Sequence, residues 1–476
     1  MTRRPLTAIL SLSLLLSACG GGGQSLGSSG SGGTPSPSPA PTGTCSLRNR
    51  QDWAAAQLRE WYLYPETLPA SLDPTPYATV EDYIDALTAT ARSQRRDRYF
   101  TYLTSIAAEN AYYASGSSAS FGIRLGIDSA QRIYVIEAFE GGAALAAGID
   151  RGTEIVAIGT SAATLRTVSA IIASEGTQGV SDALGPDTAG TSRVLRITNA
   201  SGTHDVTVTK TAFDLPPVST RYGARIINDG GHQIGYVNLR TFISTADPAL
   251  RSAFASFRSA GITEVIVDLR YNGGGLISVA ETLSDLLGRN RAGSDVVDYT
   301  TFRSEKSSNN TTRLFQTQAE AVAPTRIAFI GTGGTASASE LVINAFTPYL
   351  HTSSALIGAN TYGKPVGQIA IDRSECDDRF RIIAFAVQNS AHQGAYYDGL
   401  AATMEATCQA NDDISHPLGD PLEASTRSAL DFLEGKSCAP ITGALAALSV
   451  GAKSSKRDLL TPDRPSVAQR EVPGLF

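Results

Sequence analysis

The stretch Thr335-Ala336-Ser337-Ala338-Ser339-Glu340 decides how this chain is interpreted, because it places a serine where a strand turns into a helix. Residues 326–330 before it form a short apolar run typical of a buried strand, and small residues between the two allow a sharp turn. We therefore expect a helix to begin near Ser337. Backbone N–H groups at a helix start, including that of Ala338, lack intrahelical acceptors and can stabilise an oxyanion. The stretch predicts acyl transfer with Ser337 as the nucleophile.

Lys364 is the candidate base for this serine. A serine hydroxyl is a weak nucleophile at neutral pH and needs an adjacent base, which in some enzymes is a neutral lysine amine. The pKa of such an amine has to fall by roughly 3 units from about 10.4, which burial can supply. Gln368, four residues on, shares a face with Lys364 if residues 366–371 form a strand. Taken alone, the serine is more often an N-cap and the lysine a solvated turn residue.

A third motif completes a recognisable set. The block Asp268-Leu269-Arg270-Tyr271-Asn272-Gly273-Gly274-Gly275 is similar to the Asp-Leu-Arg-Asn-Asn-Pro-Gly-Gly of the S41 serine peptidases, the tail-specific or carboxyl-terminal processing proteases. The other two motifs resemble that family's nucleophile and base segments. The resemblance implies that Ser337 attacks, Lys364 is the base and Gln368 orients the lysine.

The same resemblance implies an oxyanion hole built from two backbone amides. One belongs to Ala338 and the other to Gly274, with Gly273 as the alternative. It also implies a multidomain α/β protein with a crotonase-like (ClpP/crotonase) protease core over residues 214–440. No cofactor and no metal are implied, and the five histidines show no HExxH or similar spacing.

The N-terminus has the pattern of a processing signal. Two arginines precede an apolar run too short to span a bilayer, and Leu16-Ser17-Ala18-Cys19 resembles a bacterial lipobox. We expect residues 1–18 to be a lipoprotein signal peptide and Cys19 to carry lipid, with an ordinary secretory signal as the alternative. The Gly/Ser/Pro-rich residues 19–44 predict a linker. These features predict a bacterial cell envelope location, lipid-anchored, with Gly20 favouring the outer membrane.

Four further cysteines fit two disulfides in an exported protein, among three possible connectivities. We favour Cys376–Cys408, which would bracket one insertion, and Cys45–Cys438, which would tie the ends of the folded body together. Their wide spacing, without Cys-x-x-Cys pairs, makes a zinc site improbable.

Residues 45–115 predict a helical N-terminal domain. Thr79 is a candidate N-cap, and Val80, Tyr83, Ile84 and Leu87 recur at helical spacing. We interpret the aromatic residues of this region as core packing: Trp53, Trp61, Tyr83 and Phe100.

Residues 116–213 change to short strands separated by glycine-rich turns. Within them, residues 142–155 resemble the helix, turn and strand of a PDZ domain, a module that binds extended C-terminal peptides by strand addition. The resemblance assigns carboxylate binding to Ser120, Phe121, Gly122 and Ile123. A plain β-domain is the alternative. Residues 177–192 are expected to be an exposed insertion, and residues 441–476 a disordered tail.

Composition excludes some partners. The chain has 476 residues and a net charge of −6, so it offers no basic patch for nucleic acid. We therefore expect a membrane-anchored envelope serine endopeptidase whose partners are proteins or peptides with free C-termini, captured by the PDZ-like domain. One rival is a proteolytically silent PDZ-type peptide-binding lipoprotein, and another is a crotonase-like acyl-CoA enzyme. The oligomeric state does not follow from the sequence.

Overall fold

The structure is a computed structural model that describes residues 43–442 and 457–476. The predicted signal peptide, lipidation at Cys19 and nearly all of the linker lie outside the described residues. In the ranges that the structure describes, no helix combines the length and apolar character needed to cross a bilayer.

The N-terminal part consists of helices packed on a sheet. The Thr79 hydroxyl accepts a hydrogen bond from the N–H of Asp82 at 3.0 Å, so the predicted N-cap is confirmed. The four residues at helical spacing after it are all buried, and they pack with Phe380 and Ile382 of the later chain. The elements are α1 (Leu47–Trp61), α2 (Val80–Leu87), α3 (Ala89–Ser93), β1 (Tyr102–Ser105) and α4 (Ile106–Ser115).

The middle part is rich in strands and has its own apolar core. Its elements are β2 (Ser118–Ser120), β3 (Ile123–Asp128), β4 (Ile133–Ala138), α5 (Ala143–Ala146), β5 (Glu154–Gly159), β6 (Arg166–Thr167), α6 (Val168–Leu184), β7 (Ser192–Asn199), β8 (Gly202–Thr209) and β9 (Thr211–Phe213). Strands β3-β4-β5-β7-β8 lie side by side in one sheet, β6 pairs with β5, and β2 pairs with β9 separately.

The predicted exposed insertion at 177–192 is wrong in its first half. Residues up to Leu184 continue α6 beyond a kink at Gly176, where φ is 70°. Val180 and Leu184 are buried in the core of the middle part, because the kink turns the second half of the helix back onto the sheet.

The third part contains two sheets. Its elements are β10 (Ala224–Asp229), β11 (His232–Asn238), α7 (Ala246–Ser259), β12 (Glu264–Asp268), α8 (Ile277–Leu287), β13 (Val296–Phe302), β14 (Thr311–Leu314), β15 (Arg326–Gly331), α9 (Ala338–Leu350), β16 (Ser354–Gly358), β17 (Val366–Arg373), β18 (Asp378–Gln388), β19 (Thr407–Gln409) and α10 (Ala424–Leu433). One sheet has the order β10-β11-β12-β15-β16-β19, and in the other β18 pairs with β1, β13 and β17 while β14 pairs with β13. The prediction of an α/β protein with several sheets is confirmed.

The six-stranded sheet positions the candidate site. From β11 to β19 its strands are parallel, and β12, β15 and β16 are direct neighbours. Helices α7, α8 and α9 cover one face and α10 covers the other. Loops that leave the carboxyl ends of adjacent parallel strands meet at one edge of a sheet. The three motifs singled out in the sequence follow these three strands, so the fold brings them together.

The tail prediction is wrong for residues 457–476. This segment forms β20 (Arg457–Leu459), which pairs with β3, and α11 (Val467–Glu471). Leu460, Val472 and Phe476 are buried in the cores beneath, and this burial stabilises the ordered segment. Residues 443–456 lie outside the described ranges.

The four cysteines form two disulfides, but the favoured pairing is wrong. Cys45 is bonded to Cys376, and Cys408 to Cys438. Cys45 meets Cys376 because the start of α1 packs against the turn between β17 and β18, where Arg50 binds Asp378 at 2.6 Å. Cys408 lies in β19 and meets the chain that follows α10.

Candidate active site

Ser337 lies directly before α9 in an unusual backbone conformation. Its φ and ψ are 55° and −115°, outside the regions that residues with a side chain normally adopt. Neighbouring bonds hold it there: the Thr335 hydroxyl donates to the carbonyl of Leu269 at 2.8 Å, and the Ala336 N–H donates to that of Asn272 at 3.0 Å. The loops after β12 and β15 are thus joined, and they fix the serine at a helix N-terminus as predicted.

Gly274 closely approaches this serine. A Cβ built on Gly274 would lie 2.8 Å from the Ser337 Cβ and 3.2 Å from the Ala338 nitrogen, and its φ of +122° already favours glycine. The predicted oxyanion residues are therefore adjacent. The Gly274 N–H, however, donates to Oδ1 of Asn272 at 2.9 Å, and the Gly273 N–H donates to the carbonyl of Glu471 at 2.9 Å. Both glycine donors are engaged in this structure.

Lys364 occupies an apolar environment. Its Nζ donates to Oε1 of Gln368 at 3.0 Å and lies 5.2 Å from the centre of the Phe100 ring. Burial is the main cause that lowers the pKa of the lysine below its usual value, while the charge of Glu471 acts in the opposite direction. In the described part of the chain the amine has no ion-pair partner within 4.0 Å. The Gln368 side chain is in turn fixed by its own donation to the carbonyl of Phe100.

Ser337 and Lys364 line the same small cavity, of about 10 Å³, which is roughly the space of one water molecule. Its remaining walls are apolar or glycine: Ile277, Ala338, Leu341, Val366, Gly367, Val387 and Tyr396. A second cavity of about 780 Å³ lies on the other side of Lys364 and is bounded by Phe100, Ala336 and the tail residue Glu471. Lys364 therefore lines both a narrow cavity and a wide one.

Glu340 is a site residue that the sequence analysis did not assign. Its buried carboxylate accepts the N–H groups of Ser337 at 3.0 Å, Gly363 at 2.7 Å and Lys364 at 2.7 Å. Burial raises its pKa, while the hydrogen bonds from Thr361 and from the three amides act in the opposite direction. An acid three residues after a helix N-cap is the signal of a capping box, and that signal could have identified Glu340.

Arg98 reaches the site from the N-terminal part. Its guanidinium donates to the carbonyls of Tyr362 at 2.7 Å and Tyr397 at 3.1 Å, and also to that of Gly363. It thereby holds the loop that carries Lys364. No local pattern in the sequence signals this contact, because Arg98 and Lys364 are far apart along the chain.

The predicted peptide-binding segment lies elsewhere. Ser120, Phe121, Gly122 and Ile123 belong to the middle part and line neither of the two cavities. The Ser120 hydroxyl accepts the N–H of Gly122 at 3.1 Å, and Phe121 is buried. Ile123 exchanges two backbone hydrogen bonds with Phe476, at 2.9 and 3.3 Å.

None of the five histidines lines either cavity. Across residues 43–442 and 457–476, no group of three or more histidine, cysteine or acidic side chains could hold a metal ion. The polar groups gathered at the site are a serine, a lysine, a glutamine, backbone amides and the Glu340 carboxylate that holds some of those amides, and together they suit attack on a carbonyl carbon.

The chain is similar in sequence to known peptidases. The model of the peptidase family S41 matches residues 233–390, which include Ser337, Lys364 and Gln368. The chain is 25% identical over 268 residues to the chloroplastic C-terminal processing peptidase of Tetradesmus obliquus, covering 55% of this chain and 54% of that protein. It is 28% identical over 287 residues to the carboxy-terminal processing protease CtpA of Bacillus subtilis (strain 168), covering 59% and 54%.

The chain thus spans about half the length of these curated relatives. Among solved structures, it is similar to that of a putative S41 protease from Bacteroides fragilis. The TM-score is 0.62 at 21% identity, covering 80% of this chain and 97% of the other.

Proposed function

The core of this chain, residues 233–390, matches peptidase family S41, and on that premise we propose that the protein is a serine endopeptidase with a Ser-Lys-Gln mechanism. Its substrates are proteins or peptides. The observation that carries the proposal is the shared cavity of Ser337 and Lys364, which is lined by a half-buried lysine without an ion pair and a strained serine.

The first step forms an acyl-enzyme. Oγ of Ser337 bonds to the substrate carbonyl carbon while its proton passes to Nζ of Lys364. The electron pair of the carbonyl moves onto its oxygen, then returns as the C–N bond breaks, and Lys364 gives its proton to the leaving amine. A water molecule then attacks the carbonyl carbon of the acyl-enzyme and gives a proton to Nζ of Lys364. The bond between that carbon and Oγ of Ser337 breaks, Lys364 returns the proton to Oγ, and the acid is released. Each cycle restores the neutral lysine, so no other proton carrier is required.

The lysine has to be neutral to accept a proton, and its surroundings favour that form. Burial disfavours the ammonium more than the charge of Glu471 favours it, and the walls of the small cavity offer the amine no carboxylate. Gln368 is a positioning residue, since its Oε1 accepts from the amine and its own amide is fixed on the carbonyl of Phe100.

Two backbone amides stabilise the oxyanion in this proposal. The Ala338 N–H opens α9 and has no intrahelical acceptor. The second donor is the amide of Gly274 or of Gly273, each of which must first release its present acceptor, Asn272 or Glu471 respectively. Donors of this kind typically contribute about 10²- to 10³-fold in kcat.

Two further roles belong to the proposal. The middle part acts as a PDZ-like module in which Ser120, Phe121, Gly122 and Ile123 receive the C-terminal end of a substrate. Supporting this, β3 already accepts a paired strand along that edge. The protein is also anchored in the bacterial envelope by lipid on Cys19, as the lipobox-like residues 16–19 indicate.

The decisive experiment measures hydrolysis of an unfolded protein, such as reduced and carboxymethylated lysozyme, by the full chain in detergent. Ser337→Ala and Lys364→Ala should each remove cleavage, Gln368→Ala should leave part of it, and EDTA should have no effect. Circular dichroism confirms that each variant is folded. The mechanism would be rejected if the folded Lys364→Ala variant still cleaved the unfolded protein. It would also be rejected if EDTA abolished cleavage and added metal restored it. If the parent protein is inactive but still binds peptides, the result would favour the alternative that it is a proteolytically silent peptide-binding lipoprotein.

The anchor is tested separately in bacterial cells. Labelled palmitate should enter the parent protein and should not enter Cys19→Ser, and the Cys19→Ser protein should either be released from membranes or keep its leader. A parent protein that takes up no label would remove the anchor from the proposal and leave the peptidase mechanism untouched.

A further inference from the structure

The edge of β3 is covered along its whole length by residues 457–460 and 474–476. The first contact is β20, which pairs antiparallel with β3, and the next residue, Leu460, donates its N–H to the carbonyl of Leu125 at 3.0 Å. The chain then leaves through α11 and returns. On its return the N–H of Leu125 donates to the carbonyl of Gly474 at 2.8 Å, and Phe476 exchanges bonds with Ile123.

The returning segment runs antiparallel to β3, with Phe476 beside the start of the strand. Its pairing partners are Ile123 for Phe476 and Arg124 for Leu475. Phe476 therefore lies next to residues 120–122, the predicted carboxylate-binding segment. Strand addition in this direction is how an extended peptide binds a sheet edge of this kind.

The Phe476 side chain fills an apolar groove. It is 2% exposed and belongs to the buried core cluster of the middle part, which includes Phe121, Leu125 of β3, and Ile172 and Val180 of α6. Leu475, one residue earlier, belongs instead to a different cluster with Tyr112 and Phe139. This alternation is that of a β-strand, whose successive side chains point to opposite faces. The segment thus presents one apolar side chain to the groove.

We propose that Gly474-Leu475-Phe476 is a tethered occupant of this groove, at the place where an extended peptide with an apolar side chain at the position of Phe476 would add to β3. A protein substrate has to displace this segment in order to bind there. The inference rests on the proposed function in treating the middle part as a peptide-binding module and in calling the competitor a substrate.

The occupant is connected to the candidate active site. Between its two contacts with β3, the segment passes the loop after β12, where the carbonyl of Glu471 accepts the N–H of Gly273 at 2.9 Å. A Cβ on Gly273 would lie 2.3 Å from the carbonyl oxygen of Arg470, so the approach is close. Displacing residues 474–476 removes an anchor of this contact and favours release of one predicted oxyanion donor. Binding in the groove is thereby coupled to the chemistry.

A tethered occupant makes a free peptide bind weakly, because the groove is available only in the fraction of molecules that have released the segment. The apparent dissociation constant equals the intrinsic one divided by that fraction. If one molecule in ten is open, removing the occupant improves the apparent affinity about tenfold.

The test measures binding of a fluorescent peptide with the sequence Glu-Val-Pro-Gly-Leu-Phe, which matches residues 471–476. The protein is the full chain carrying Ser337→Ala, so that the peptide is not cleaved. Adding Phe476→Asp should improve the affinity at least tenfold, because a carboxylate does not remain in the apolar groove. Phe476→Leu, which keeps an apolar side chain there, should bind as weakly as its parent. A peptide with Asp in place of the final Phe should bind the Phe476→Asp protein at least tenfold more weakly than the Phe peptide does.

A second measurement does not depend on how well Phe476→Asp folds. In the Ser337→Ala protein saturated with peptide, amide hydrogen exchange should accelerate at Phe476, whose acceptor on β3, the carbonyl of Ile123, is taken by the peptide. The amides of Ile123 and Leu125 should stay protected because the peptide takes their bonds. Equal affinities of parent and folded Phe476→Asp, or saturation without faster exchange at Phe476, would overturn the inference.

Failure of the peptidase proposal would look different. If no variant with an intact Ser337 cleaves unfolded protein, while Phe476→Asp still binds the peptide more tightly, the peptidase function falls and the groove with its occupant stands. If cleavage is found but the peptide affinity does not depend on residue 476, the peptidase function stands and the groove inference falls.

Discussion

The backbone N–H of Lys364 donates to the carboxylate of Glu340 at 2.7 Å. The same carboxylate oxygen accepts the N–H of Ser337 at 3.0 Å. One buried group therefore fixes the loop after β16 to the start of α9. The separation of the proposed nucleophile and base is set by backbone contacts to a common acceptor, and the two side chains need not bond to each other to be held in place.

We expect Glu340→Gln to reduce kcat by about 10- to 100-fold, because an amide replaces one acceptor oxygen with an NH₂ that faces N–H donors. The unfolding free energy should fall by about 1 to 3 kcal/mol, the cost of leaving a buried donor unsatisfied. Steady-state kinetics and urea denaturation measure the two effects. Glu66→Gln, at a carboxylate whose side chain is 61% exposed, is the matched control and should change neither. An unchanged kcat in Glu340→Gln would show that the shared acceptor does not position the site.

Gln368→Glu should move the pH dependence of cleavage to higher pH. Burial holds the pKa of Lys364 below its usual value, and the neutral amine is the active form, so kcat rises with pH through that pKa. A carboxylate 3.0 Å from Nζ would favour the ammonium and raise the pKa. The rising limb should therefore shift upward by about 1 to 3 pH units.

Two variants at the same pair serve as controls for this shift. Gln368→Ala should lower kcat without an upward shift, since it supplies no charge. Lys364→Arg should stay inactive at every pH tested because arginine keeps its proton. A profile of Gln368→Glu that superimposes on that of the parent would argue against Lys364 as the base.

Gly274→Ala should abolish cleavage while the protein stays folded. The new methyl group would lie 2.8 Å from the Ser337 Cβ, and alanine at a φ of +122° is strained. Together these displace the serine or the amide beside it. Gly293→Ala is the matched control, since a Cβ there meets nothing within 4 Å. The comparison uses kcat/KM on the unfolded protein substrate, and near-parental activity of Gly274→Ala would contradict the assigned oxyanion region.

Removing the Cys45–Cys376 disulfide should cost more stability than removing Cys408–Cys438. The first joins residues 331 apart in sequence and the second residues 30 apart. In the chain-entropy description, the two losses of unfolding free energy differ by about 2 kcal/mol. This value is (3/2)RT times the logarithm of the ratio of the two sequence separations. Urea denaturation of the two double-serine variants measures it. Mass mapping of the unreduced protein should recover only these two pairings, and equal losses would show that entropy of the unfolded chain does not govern the effect.

The sequence predicts those parts of the fold that depend on neighbouring residues. The Thr79 cap, the apolar spacing after it and the helix start at Ser337 are each encoded within a few positions, and the structure has them. Lys364 and Gln368 also contact each other as their spacing indicates, although a bulge lies between Gly367 and Gln368.

What the sequence does not reveal depends on contacts between distant segments. Arg98 binds carbonyls that lie more than 260 positions away, and such a contact leaves no periodic pattern. The Cys45–Cys376 pairing follows from the docking of α1 on the turn after β17, which requires the three-dimensional packing. Residues 457–476 are polar and rich in proline by composition, yet a few apolar residues such as Phe476 order them because they are buried in the core of the middle part.

The Cys45–Cys376 disulfide also determines how the molecule carries mechanical tension. A pull on the chain before Cys45 passes through the sulfur bridge into the turn between β17 and β18, and so bypasses α1, which begins at Leu47. Strand β18 is hydrogen-bonded to β1, β13 and β17, so the load is shared by three ladders of one sheet. Reduction of the bridge would redirect the same pull along α1 and peel that helix from its core one turn at a time.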